Sequence, residues 1–217
     1  MRRRFLLAIF LALLGCGGMA LAADPVEGKD YVVVEPPLPV TDPTKIVVTD
    51  FFSYACPHCF AFSPSLRDWE AKLPKDVVLD RVAVTFGRVS TWGLLAKLYY
   101  TLRSFGKDHQ LDRAVFEALH LEGAPLTSPD RIADWVAAHG LDRRAFLATF
   151  DSFTIQAFAT SADQLTGRVK LRGVPALLVD GKYLVHIADN GDFAPQLATV
   201  DALLARARTE RNRAASH

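Results

Sequence analysis

Two closely spaced cysteines are the residues of this chain best suited to chemistry. Cys56 and Cys59 stand in the stretch DFFSYACPHCF, residues 50–60, with a proline and a histidine between them. Thiols at this spacing can bind a metal, form a structural disulfide or exchange electrons with other thiols. Each of these three interpretations requires different residues elsewhere in the chain.

A metal site needs more ligands than this pair supplies. Structural zinc takes four, usually from a second cysteine pair or from two closely spaced histidines. One further cysteine, Cys16, lies near the start of the chain, and the remaining histidines are scattered: His109, His120, His139, His186 and His217. The pattern predicts neither a metal nor another cofactor.

A structural disulfide also fits this spacing poorly. A bridge across two intervening residues closes a very short loop, so it removes little conformational entropy from the unfolded chain. Structural disulfides of exported proteins usually join distant segments. Redox chemistry is therefore the favoured interpretation, and the metal site and the structural disulfide remain as alternatives.

The elements next to the pair predict how the thiols are placed. Residues 45–52, KIVVTDFF, are β-branched and aromatic and predict a buried strand, and helical spacing begins directly after it. A helix that starts at Pro57 puts that proline at the first helical position and Cys56 at the N-cap. Both sulfurs then lie within one turn, a distance that a disulfide can span. Cys56 is expected to be exposed and Cys59 to lie one turn further in.

This placement predicts a reactive thiol at Cys56. The free amides and the positive dipole end of a helix favour a thiolate at its N-terminus. His58 adds a hydrogen-bond donor or a positive charge beside it. A lowered thiol pKa stabilises the reduced form, so the disulfide of such a pair is oxidising.

Two distant features support redox chemistry. Asp50 lies on the strand that leads to the pair, and its carboxylate is expected beneath the helix, where it could take or give the Cys59 proton. Alternatively, Asp50 reaches solvent or pairs with a base such as Arg81. Later in the chain, Val174-Pro175 precedes a strand; a cis bond is predicted there, which would present the Val174 backbone to an extended peptide.

The rest of the chain predicts a sheet interrupted by helices. Besides 45–52, strands are expected in the apolar stretch 31–34, at 77–86, and at 174–179 and 182–187 around an Asp-Gly hairpin turn. Helices are predicted at 91–105, 111–121, 129–139, 142–150 and 152–165, and a last one at about 193–208. The order implies a parallel strand pair with a helical crossover, an antiparallel hairpin and a helical insertion. The basic residues 206–213 are expected to fray into a solvated tail.

The stretches FFSYACPHC and LRGVPALLVDGKY, with the helical block between them, resemble the DsbA family, periplasmic thiol:disulfide oxidoreductases of the thioredoxin superfamily. The resemblance covers nearly the whole chain after residue 22. It implies an α/β thioredoxin fold with an inserted all-helical domain. The implied boundaries are 23–88 and 166–217 for the two parts of the thioredoxin domain and 89–165 for the insertion.

The same resemblance implies roles for single residues. Cys56 would be the nucleophile and Cys59 its resolving partner, so the two would form the redox-active disulfide Cys56–Cys59. His58, next to Pro57 in the motif, would tune the thiolate. Pro175, after Val174, would be the cis proline of the active site. Asp50 occupies the position of the family's buried acid, which is typically glutamate.

The implied activity is donation of the disulfide to unfolded, reduced exported polypeptides through a mixed disulfide. A quinone-linked membrane protein of the DsbB type would reoxidise the protein. A reductase or isomerase of the same chemistry remains an alternative. A protein of another functional class, such as a CxxC metal carrier or a peptide-binding chaperone, would retain the motif for a different purpose.

The first 22 residues predict export. Three arginines, an apolar run at 5–14 and the small residues around Ala22 are typical of a cleaved secretory signal peptide, and the run is too short to span a membrane. The alternative is a lipidated Cys16, since Leu-Leu-Gly-Cys resembles a lipobox. Removing residues 1–22 lowers the formal charge from +1 to −2, which gives no electrostatic reason to expect nucleic-acid binding. A periplasmic monomer is expected.

Overall fold

Five strands of the described residues form one mixed sheet. The computed structural model describes residues 24–39, 42–87, 91–188 and 190–216. The strands are β1 (Val32–Val33), β2 (Ile46–Phe52), β3 (Val77–Ala83), β4 (Ala176–Val179) and β5 (Tyr183–His186). Their order across the sheet is β1-β5-β4-β2-β3, with β2 and β3 parallel and the other pairs antiparallel.

Strand β2 lies between β3 and β4 and carries the chain into the cysteine motif. It is mostly buried because both sheet faces are covered, which explains its nearly continuous apolar sequence. In the parallel register Asp50 lies opposite Arg81, and Phe52 lies opposite Ala83. The end of β2 therefore determines the position of the helix that follows and of the Asp50–Arg81 pair beneath that helix.

Seven helices complete the described structure. They are α1 (Pro57–Glu70), α2 (Thr91–Ser104), α3 (Asp108–His120), α4 (Pro129–Ala138), α5 (Arg143–Phe150), α6 (Phe153–Arg168) and α7 (Ala194–Ala215). Ser128, Asp142 and Ser152 cap α4, α5 and α6 by accepting a hydrogen bond from a backbone N–H of the first turn. The predicted order of strands and helices is confirmed.

Helices α2 to α6 interrupt the sheet between β3 and β4 and pack around their own apolar core. That core includes Leu95, Phe116, Ile132 and Phe150 and continues to the cysteine motif. The exact domain limits remain a prediction. The boundary at 88/89 and the first 22 residues, with Cys16 and the signal-peptide interpretation, lie outside the described ranges. Within those ranges no helix is long and apolar enough to span a membrane.

Helices α1 and α7 cover one face of the sheet. Phe62 and Leu66 of α1 and Leu203 of α7 share a buried cluster with Val48 and Leu177 of the sheet. This packing holds α1 against β2, so the start of α1 has a fixed position relative to the strand that precedes it.

The basic C-terminal segment does not fray, so the prediction of a solvated tail is wrong. Helix α7 continues to Ala215. Arg208 Nε contacts Asp76 Oδ2 at 2.6 Å. Arg211 pairs with Asp180 in the hairpin turn and also donates to the carbonyl oxygens of Pro43 and Lys45. The arginines recur about one helical turn apart, which aligns them with two acidic residues near the start of β2.

Arg211→Ala is expected to lower the free energy of unfolding by about 2 kcal/mol, because it removes several hydrogen bonds to a partly buried guanidinium. Urea unfolding followed by circular dichroism measures this change. Arg213→Ala, at an exposed position in the same helix, is the matched control. Equal urea midpoints for the two variants would show that Arg211 does not anchor the helix.

Candidate active site

Cys56 is the N-cap of α1, as predicted. Its backbone angles, φ −92° and ψ 116°, are extended, and Pro57 occupies the first turn of the helix. The Cys56 N–H donates to the Ser53 carbonyl at 3.0 Å, and the Cys56 carbonyl accepts from Phe60 N–H at 3.1 Å. A tight turn after β2 thus delivers Cys56 to the helix start.

Both cysteines are free thiols in this structure, which is the dithiol form, and both are buried. The expectation that Cys56 is exposed is wrong: it is 5% exposed, against 3% for Cys59. The loop before β4 lies over it, with Cys56 Sγ 3.5 Å from the Val174 carbonyl oxygen. The Val174-Pro175 segment was expected to support the redox chemistry, but no local sequence signal shows that it covers Cys56, because the two segments are far apart in the chain.

The two thiols have opposite acidities. The Cys59 thiol donates a hydrogen bond to the Cys56 sulfur and, with the amides of Cys59 and His58 and the His58 charge, lowers the pKa of Cys56 to about 6 against the effect of burial. Burial, that same hydrogen bond and the negative charges of Cys56 and Asp50 raise the pKa of Cys59 well above its ordinary value. Cys56 is therefore the thiolate of the pair at neutral pH and Cys59 the thiol.

The causes of the low Cys56 pKa differ from the prediction in their order of size. The helix amides and His58 both favour the Cys56 thiolate, as expected, but the largest contribution comes from the Cys59 thiol. His58 is exposed, and its charge is the smallest of the named contributions. The Cys59 thiol is therefore the main cause of the low Cys56 pKa, and His58 makes a smaller contribution.

The predicted cis bond at Val174-Pro175 is confirmed. β4 begins at the next residue, and the Pro175 carbonyl accepts from Ile187 N–H at 3.1 Å. The loop is thereby joined to the sheet, with the Val174 carbonyl over Cys56.

Asp50 is buried beneath the site in an ion-pair network. Its Oδ2 accepts from Arg81 Nε at 2.9 Å, and Arg81 Nη1 also contacts Asp112 Oδ1 at 2.6 Å. Asp50 Oδ1 has no hydrogen-bond partner among the described residues. Burial raises the pKa of Asp50, and the charge of Arg81 opposes that rise. The alternative in which Asp50 pairs with Arg81 is thus confirmed, and its charge also acts on Cys59.

Two residues of α3 reach the site without having been predicted there. Asp112 joins the network of Arg81, and His120 contacts the backbone just before the cysteine motif. The amphipathic spacing of α3 marks a helix, but no local signal shows which of its polar residues face β3 and the motif. Within the described ranges, no three His, Cys, Asp or Glu residues are grouped as a metal site would require.

The chain is similar to known proteins over most of its length. The profile of the DSBA-like thioredoxin domain family matches residues 47–198. The thiol:disulfide interchange protein DsbA of Pseudomonas aeruginosa is 38% identical over 207 residues, covering 95% of this chain and 97% of the relative.

Solved structures agree with the sequence comparison. The crystal structure of Pseudomonas aeruginosa DsbA has a TM-score of 0.81 at 37% identity and covers 87% of this chain and 97% of that chain. The oxidoreductase DsbA from Xylella fastidiosa has a TM-score of 0.78 at 32% identity and covers 85% and 98%. The fold is a thioredoxin fold with an inserted all-helical domain, as predicted.

Proposed function

Because this chain belongs to the DsbA family of thioredoxin-like thiol:disulfide oxidoreductases, we propose that it donates a Cys56–Cys59 disulfide to reduced, folding exported proteins. The observation that carries the proposal is the asymmetry of the two thiols. A low pKa at Cys56 and a raised pKa at Cys59 favour the reduced pair, with one thiolate and one thiol. A protein whose reduced form is stabilised gives its disulfide away.

The exchange has two steps. A substrate thiolate attacks Cys56 Sγ, forming a mixed disulfide; the Cys56–Cys59 bond breaks, and its electron pair stays on Cys59, which takes a proton. A second substrate thiolate then attacks the substrate sulfur of the mixed disulfide, and Cys56 leaves as a thiolate. The substrate loses two electrons and the protein gains two. Cys56 leaves readily because its thiolate is stable at neutral pH.

The surrounding residues have separate tasks in this cycle. The Asp50 carboxyl, which acts electrostatically on Cys59, supplies and accepts the Cys59 proton. The Val174 backbone, beside the cis Pro175, pairs with the extended substrate chain near the reacting sulfur. Pro57 starts α1 in the geometry that exposes its amides to Cys56.

The partners and the compartment are also part of the proposal. Substrates are unfolded secreted polypeptides with reduced cysteines, and a quinone-linked membrane protein of the DsbB type restores the disulfide. The features of residues 1–22 support export to the periplasm with cleavage after about Ala22. The protein acts as a monomer without nucleic acid, metal or other cofactor.

Oxidation of a reduced protein tests the proposal. The oxidised protein is mixed with reduced, unfolded ribonuclease, and thiols of both are counted by alkylation and mass spectrometry. We expect ribonuclease to gain disulfides as Cys56 and Cys59 become free thiols. A ribonuclease that stays reduced, together with rapid reduction of insulin by the dithiol form, would contradict donation and indicate a reductase.

His58→Ala is expected to raise the pKa of Cys56 and make the disulfide less oxidising, because the positive charge of His58 favours the thiolate. The acid dissociation constant should fall only about twofold to fivefold, since His58 is exposed and its charge is screened. Thiolate absorbance against pH measures the change. His109→Ala, which removes another exposed histidine, is the control. Identical titrations of all three proteins would remove His58 from the mechanism.

A further inference from the structure

One side chain of the helical insertion contacts the chain on both sides of the cysteine motif. His120, the last residue of α3, has its Nε2 2.8 Å from the Tyr54 carbonyl oxygen, two residues before Cys56. Its ring stacks on Phe60, directly after Cys59, with centroids 5.0 Å apart and planes 8° from parallel. Since a carbonyl only accepts, His120 Nε2 carries the hydrogen and donates it.

The same helix holds the motif at a second point, one turn earlier. Phe116 packs edge-on against the ring of Tyr54 at 4.9 Å and lies 6.0 Å from Phe60. Tyr54 and Phe116 are almost completely buried. The end of α3 thus contacts both the turn that leads to Cys56 and the first turn of α1.

We infer that His120 is a positioning residue that sets the acidity of the Cys56 thiol by holding the turn before it. This inference rests on the proposed function and deepens it. The peptide whose carbonyl His120 binds is followed by Ala55 and then by Cys56, whose N–H closes the turn on Ser53. That turn decides where the Cys56 sulfur lies relative to the amides of α1, and the stacked Phe60 fixes the same helix turn from the other side.

This geometry predicts how the loss of the His120 hydrogen bond changes the pKa of Cys56. Without the hydrogen bond the turn can relax, and the amides of His58 and Cys59 then stabilise the thiolate less well. The pKa of Cys56 rises, the reduced form loses part of its advantage, and the disulfide becomes less oxidising. The helical insertion would thereby contribute to the redox chemistry of a motif that lies outside it.

Three variants of the full-length protein separate the possible causes. His120→Phe keeps a ring that can stack on Phe60 but removes the donor, and His120→Gln keeps a donor. His139→Phe is the matched control, because His139 Nδ1 also bonds a carbonyl, that of Trp135, at 2.8 Å and its ring stacks on Trp135 at 3.9 Å, within the same helical insertion. Circular dichroism checks that each variant is folded, and His120→Leu replaces His120→Phe as the donor-free variant if the latter does not fold.

The readouts are the thiolate absorbance of Cys56 against pH and the equilibrium with glutathione. We expect His120→Phe to lower the acid dissociation constant of Cys56 about threefold to tenfold, the range that one hydrogen bond of ordinary strength can shift an equilibrium. The glutathione equilibrium should move in the same direction. His120→Gln should stay within about twofold of the wild type, and His139→Phe should match it.

Each contrary result has a distinct meaning. A low wild-type pKa that is unchanged in His120→Phe would overturn the inference alone. An equal shift in His139→Phe would also overturn it, because general loosening of the insertion would then be the cause. A wild-type Cys56 that titrates as an ordinary thiol would overturn the proposed function and this inference with it.

Discussion

Cys59→Ser is expected to accumulate mixed disulfides with substrate proteins, whereas Cys56→Ser is expected to form none. Cys56 is the more acidic thiol, so it carries the bond to the substrate, and Cys59 is the group that can attack that bond from within the protein. Without Cys59, no thiol of the motif can attack the mixed disulfide, which therefore persists. Removing Cys56 abolishes exchange, because burial raises the pKa of the remaining thiol and keeps it protonated.

Mixed disulfides are measured by acid quenching, non-reducing electrophoresis and mass spectrometry of the trapped adducts. The two single variants are matched controls for each other, since each replaces one sulfur by oxygen in the same motif. Trapped adducts in Cys56→Ser and none in Cys59→Ser would reverse the assignment of nucleophile and resolving thiol.

Asp50→Asn is expected to slow exchange strongly while increasing stability at neutral pH. Burial raises the pKa of Asp50, so the folded protein binds this proton more tightly than the unfolded chain does. The carboxyl group therefore favours folding at acid pH, and this contribution is lost as the pH rises through its raised pKa. A neutral amide of the same shape avoids that loss and still offers an oxygen to Arg81.

The slower exchange follows from the loss of a proton acceptor and donor near Cys59. We expect a decrease of about 100-fold, at the lower end of what general acid–base groups contribute. Stopped-flow fluorescence measures exchange with a peptide thiol, and urea unfolding from pH 4 to 8 measures stability. Asp112→Asn is the control, because it removes the other buried carboxylate that contacts Arg81. Equal slowing in both variants would assign the effect to the ion-pair network and not to proton transfer by Asp50.

Local sequence signals predicted the geometry of the motif correctly where that geometry is local. Pro57 after a buried strand placed Cys56 at the N-cap, and the Asp-Gly turn placed the hairpin that follows the cis Pro175. These features depend on a few adjacent residues, whose backbone preferences are strong.

Features that depend on the docking of distant elements were missed or predicted wrongly. The burial of Cys56 comes from a loop more than a hundred residues away. Asp112 and His120 reach the site only because α3 packs beside α1. Arg211 is part of an ordered helix because the hairpin presents Asp180 to it. In each case the chain pattern shows an amphipathic helix or a charged residue, and tertiary packing decides its partner.

The reduction potential of the Cys56–Cys59 pair tests the central claim most directly. The protein is equilibrated in graded glutathione buffers, quenched with acid, and its free thiols are counted by alkylation and mass spectrometry. A disulfide donor with a stabilised Cys56 thiolate should be far more oxidising than the glutathione couple. A potential close to that of thioredoxin, about −270 mV, would contradict the account, because the pair would then take disulfides from its partners and not supply them.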